Sequence, residues 1–87
     1  MREQLHSALK KYFRVKLLLV REESGLSQEK MAHELGMSTK ALCNLEDGVS
    51  CPSLTTFIFL CFKFTLDLNE IFTGLADAFE EAEKQDQ

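Results

Sequence analysis

With 87 residues, the chain has room for one small domain. Its apolar share of 45% and charged share of 28% are those of a folded, water-soluble protein rather than a disordered one. No apolar run approaches the ~18 residues of a transmembrane span, and the charged start MREQLHSALKKY lacks the apolar stretch of a signal peptide. A cytoplasmic protein without membrane contact is expected. The net charge of −4 argues against a nucleic-acid partner until its distribution is read. Residues 1–63 carry nine Lys/Arg against seven Asp/Glu, and residues 64–87 carry one Lys against seven acids. Residues 1–21 alone hold six basic groups and one acid. Global charge governs solubility, but the local field decides which face attracts an anion.

Taken in chain order, apolar residues at Leu5, Ala8/Leu9, Tyr12/Phe13, Leu17 and Val20 recur with a helical period, predicting a helix over 3–23 that Gly25 stops. Ser27 is a good cap for a second helix, QEKMAHEL, which turns Met31, Ala32 and Leu35 to one side. Gly36 breaks it after two turns. Ser38 caps a third helix, TKALCNLED, with Ala41, Leu42 and Leu45 inward, and Gly48 ends it. After the loop VSCP, a fourth helix runs from Ser53 to about Phe64, with Leu54, Phe57, Leu60, Cys61 and Phe64 at inward positions. Asp67 with Glu70 opens a fifth as a capping-box variant, and Ile71, Leu75, Ala78/Phe79 and Ala82 extend an apolar stripe along it. No strand alternation or repeat interrupts this all-α reading.

Cys43, Cys51 and Cys61 are odd in number and form no CxxC pair, so neither a disulfide framework nor a zinc site is expected. His6 and His33 share no ligand spacing with a cysteine or carboxylate. There is no Ser/His/Asp set, no Gly-rich phosphate loop and no pair of carboxylates in a definable cleft. The expectation is no catalytic residue, no metal and no cofactor.

The informative stretch is 28–47, two short helices joined at Gly36. A helix-turn-helix needs a small residue midway in its first helix for a close crossing, here Ala32, and a turn residue free to adopt positive φ, here Gly36. Met31, Leu35, Met37, Leu42 and Leu45 have the spacing to pin the two helices to one core. The opposite side of the second then remains free to enter the major groove of DNA. The stretch LVREESGLSQEKMAHELGMSTKALCNLEDGVSCPSL resembles the phage-repressor (Cro-like, Xre) helix-turn-helix family from about Leu17 to Phe72. Its marks are Arg21, Gly25-Leu26-Ser27-Gln28, Ala32, Leu35-Gly36-Met37-Ser38, Leu42, Leu45-Glu46, Gly48 and Pro52-Ser53-Leu54.

The resemblance implies a lambda-repressor-like five-helix bundle, here with an extended N-terminal helix and an additional C-terminal helical extension. The DNA-binding domain is then 1–75, and 76–87 is an acidic helical tail. It implies base contacts from Thr39, Lys40 and Asn44, and phosphate contacts from Gln28 and Ser38. It also implies a structural ion pair between Arg21 and Glu46. The chemistry suits these roles, since Lys donates to guanine acceptors and Asn pairs with adenine. The sequence departs from its relatives in the loop Gly48-Val49-Ser50-Cys51, which has no Lys or Arg, and in the acid Asp47. Lys30, Lys40 and the group Lys10, Lys11, Arg14 and Lys16 remain as phosphate neutralisers. So few cations favour a homodimer on double-stranded DNA. Phe59, Phe62, Phe72, Leu75 and Phe79 are the possible dimer surface, unless the chain's own ends cover them. The expected function is a sequence-specific transcriptional regulator, with a protein-interaction module on the same scaffold as the alternative.

Overall fold

The computed structural model describes residues 1–87 and contains five helices: α1 (Arg2–Ser24), α2 (Gln28–Glu34), α3 (Thr39–Glu46), α4 (Leu54–Phe64) and α5 (Leu68–Gln85). Four of the five helix starts are capped by a short polar side chain. Ser27, Ser38 and Ser53 Oγ accept the N–H groups of Lys30, Ala41 and Thr56, and Asp67 Oδ1 accepts those of Asn69 and Glu70. Each bond satisfies a donor that the first helical turn leaves unpaired. At the end of α1, Gly25 takes φ 68, and the N–H of Leu26 reaches back to the Arg21 carbonyl. Gly36 does the same work between α2 and α3, again at φ 68. The αL conformation costs a glycine almost nothing, and it lets the chain reverse within two residues. Thr65 ends α4 with φ 49, a left-handed position without a glycine.

Phe13, Leu17 and Val20 of α1, Met31, Ala32 and Leu35 around α2, Leu42 and Leu45 of α3 and Leu60 of α4 form one buried cluster. Met37, Phe57 and Leu75 pack onto its edge. Burial of each large apolar side chain contributes ~1.5–3 kcal/mol, so this cluster fixes α2 and α3 against α1. One inward assignment fails. Leu54 is 74% exposed in the first turn of α4, and Thr56 is buried in its place. The buried stripe of α4 is therefore set by Thr56 and Leu60, four residues apart, which rotates Leu54 outward.

α5 runs unbroken through residues 75 and 76, where the tail is expected to begin. It returns antiparallel along α1, with the terminal amine of Met1 on Asp86 at 2.8 Å and Lys16 Nζ on Glu70 at 2.9 Å. Ala78 and Ala82 are buried in this seam, so Ala82 faces α1 and takes no part in an outer stripe. The crossing is close at Gly74. A Cβ there would overlap the Tyr12 ring. No helix is long and apolar enough to cross a membrane.

Candidate nucleic-acid interface

Leu42 and Leu45 point α3 at the core, so its other side, carrying Thr39, Lys40, Cys43, Asn44 and Asp47, turns outward. Lys40 and Asp47 are exposed, while Thr39, Cys43 and Asn44 are half-buried. The three expected base-contact residues thus lie on one side of one short helix. Ser38 caps that helix from its exposed N-terminal end.

The position of α3 is fixed by a polar network beneath it. Glu46, 4% exposed, accepts from Arg21 Nε on Oε2 at 2.8 Å and from Gln28 Nε2 on Oε1 at 2.7 Å. The Gln28 carbonyl oxygen in turn accepts from Cys43 Sγ at 3.4 Å. A buried carboxylate needs charge and donors to offset its lost hydration, and this one has a partner on each oxygen. The hydrogen bond to Glu46 raises the Arg21 guanidinium above its already high range, so Arg21 stays charged at any ordinary pH. One network therefore ties α1, the start of α2 and the second half of α3.

That network also holds the side-chain amide of Gln28. Its side chain, expected on a phosphate, is turned inward in the free protein, because the second oxygen of Glu46 lacks another donor. Only the backbone at the start of α2 is left to face outward. Nothing in the sequence distinguishes the two orientations, since Gln28 at a helix start suits both.

The loop after α3 also differs from what its own residues suggest. Val49 and Ser50 donate their N–H groups to the Asn44 carbonyl at 2.9 and 3.4 Å, holding 47–50 tightly against the helix end. The loop has no cation of its own, but Arg14 of α1 lies against it. Arg14 Nε donates to the Glu46 carbonyl at 3.2 Å, and its Cδ stands 3.3 Å from where a Gly48 Cβ would be. Two turns earlier on α1, the His6 carbonyl accepts from Cys51 Sγ at 3.7 Å. Burial raises the Cys51 thiol, and the charge of Lys10 opposes the rise. Two further cations are engaged elsewhere: Lys16 is paired with Glu70, and Lys63 lies 3.9 Å from Glu34.

The remaining aromatics are not covered within the protomer. Phe62 is 83% exposed and Phe72 73%, with Ile58, Phe59, Leu68 and Phe79 also in water. Phe59 lies beside the turn at Gly36. Leu75 differs from the others named with it, because it packs against the core. No three His, Cys, Asp or Glu side chains converge as metal ligands would.

No curated protein and no solved structure matches the chain. Comparison with known families matches residues 16–76 to the helix-turn-helix domain, a DNA-binding fold whose two short helices and tight turn are α2, Gly36 and α3, and the chain belongs to that family.

Proposed function

We propose that the protein is a sequence-specific transcriptional regulator of the phage-repressor type. It works in the cytoplasm as a homodimer on double-stranded DNA, with the segment 38–47 in the major groove. The observation that carries this reading is the outward face of α3, held rigid from below by Arg21, Glu46 and Gln28. A reader helix must present base-contacting groups in fixed register, and a locked helix loses little entropy on binding. Thr39, Lys40 and Asn44 contact base edges. Ser38 and the backbone at Gln28 meet phosphates at the starts of α3 and α2. Residues 1–75 make up the binding domain. The acidic end of α5, residues 76–87, is kept from the duplex by repulsion.

Dimerisation uses the apolar residues left in water, chiefly Phe59, Phe62, Phe72 and Phe79, with Leu75 beneath them. Two copies double the cations facing DNA and match a two-fold operator. The same exposed aromatics favour a second reading, a module that binds another protein and has no DNA site. The two differ in salt dependence. Duplex affinity should fall steeply with salt for a regulator, and an apolar protein interface should respond weakly.

The deciding experiment is selection of bound sites from random duplexes, repeated with Lys40→Ala and Asn44→Ala. A two-fold-symmetric site is expected, and each substitution should relax preference at one position by about 1–3 kcal/mol. Sequence preference that survives both substitutions would show that another surface reads the DNA.

A further inference from the structure

The cation-free loop 48–51 leaves the C-terminal end of α3 electrostatically poor for DNA. The carbonyl ends of a helix carry partial negative charge, Asp47 adds a full one, and neither Val49, Ser50 nor Cys51 offsets it. A backbone phosphate approaching here would be repelled. Yet residues 10–16 of α1, all but the last outside the matched residues 16–76, carry four cations and no acid, and this part of the helix runs alongside the loop. The contacts of α1 are specific: Arg14 on the Glu46 carbonyl and against Gly48, and His6 on Cys51.

We propose that Arg14 and Lys10 of α1, beside the loop 48–51, form a phosphate-binding subsite for the DNA strand that flanks the C-terminal end of α3. This deepens the reading given above and rests on it. Arg14 uses Nε to neutralise the helix end, which leaves its two terminal nitrogens free to donate to a phosphodiester oxygen. Lys10, one turn back on the helix, has no ion-pair partner, and its field reaches Cys51 on the far side of the loop. Lys11 and Lys16 are on the same helix but belong to another face. They line the groove of about 660 Å³ between α1 and α5 beside Glu70, Asp77 and Glu81, and acidic walls exclude a phosphate there. The extended first helix thus supplies in space what the loop lacks in sequence.

The test is the salt dependence of duplex binding by the full chain, on the best site recovered by selection and on random duplex. Each neutralised phosphate contributes about 0.9 to the slope of log affinity against log salt. Lys10→Gln and Arg14→Gln should each lower the slope by about one per protomer and weaken all sequences alike, leaving the recovered site unchanged. Lys11→Gln should leave the slope as it was. Unchanged slopes for Lys10→Gln and Arg14→Gln, on a duplex that the unmodified protein binds, would overturn the subsite. So would an equal loss from Lys11→Gln, which would indicate a diffuse field. An Arg14→Gln variant that lowers only the melting temperature would mark Arg14 as a helix-end cap, and Lys10→Gln reads the subsite without that complication. If the unmodified protein binds no duplex in a salt-dependent way, the DNA-binding reading itself fails.

Discussion

Glu46 is the residue whose environment most constrains the molecule. Its carboxylate is buried, holds Arg21 and Gln28, and lies beneath the outward face of α3. Truncating it leaves a guanidinium and an amide without their acceptor. Breaking a buried pair from one side typically costs about 3 kcal/mol, a large part of the stability of an 87-residue domain. Glu46→Ala should lose about that much in urea unfolding, whereas Glu46→Gln, which keeps the shape, should lose less. Cys51 and Cys61 show a milder effect of burial, which raises both thiols. A raised thiol is mostly protonated at neutral pH and so reacts slowly.

At the scale of the element, α3 and α5 depend on opposite devices. α3 has only eight residues, too few to be helical by propensity alone, so its cap and its packing decide whether it forms. Ser38→Ala removes the acceptor for the Ala41 N–H and should cost about 1 kcal/mol by denaturant titration, with a matching loss of DNA affinity as the helix start frays. α5 is long and needs no such help, but its seam with α1 needs Gly74. Gly74→Ala drives a methyl into the Tyr12 ring and should destabilise by about 1–3 kcal/mol. The same substitution in a Tyr12→Ala background should be nearly neutral or stabilising, because alanine favours a helix over glycine by ~1 kcal/mol. Additive effects in that cycle would show that the ring and the glycine do not meet. Most of this was legible in advance. The caps at Ser27, Ser38, Ser53 and Asp67 are local chemistry, written in the residues that carry them. Gly74 was not, because a glycine within a helical stripe carries no sign of which neighbour crosses it.

For the whole molecule, charge and exposed apolar surface are both unevenly distributed. The N-terminal half of α1 is basic and α5 is acidic, and they lie side by side, so only part of the positive field reaches the exterior. The uncovered aromatics form the other asymmetry. Exposed Phe62 and Phe72 add apolar area that the chain itself does not cover. Phe62→Glu with Phe72→Glu should yield a folded monomer by analytical ultracentrifugation, with circular dichroism unchanged and duplex affinity reduced. A dimer that persists through both changes would assign the interface elsewhere.

The order of the five helices, their caps, the glycine turns and the cluster of Met31, Leu35, Leu42 and Leu45 follow from the sequence alone, because each depends on periodicity or on bonds to residues three or four places away. The pairing of Arg21 with Glu46 was reached only through family likeness, for nothing local joins residues 25 positions apart. Tertiary structure alone decided the inward turn of Gln28, the exposure of Leu54, the seam at Gly74 and the placing of Arg14 beside a loop 34 residues away. These depend on which helices cross and at what rotation. That is set by the packing of the whole core, which no short window of sequence contains.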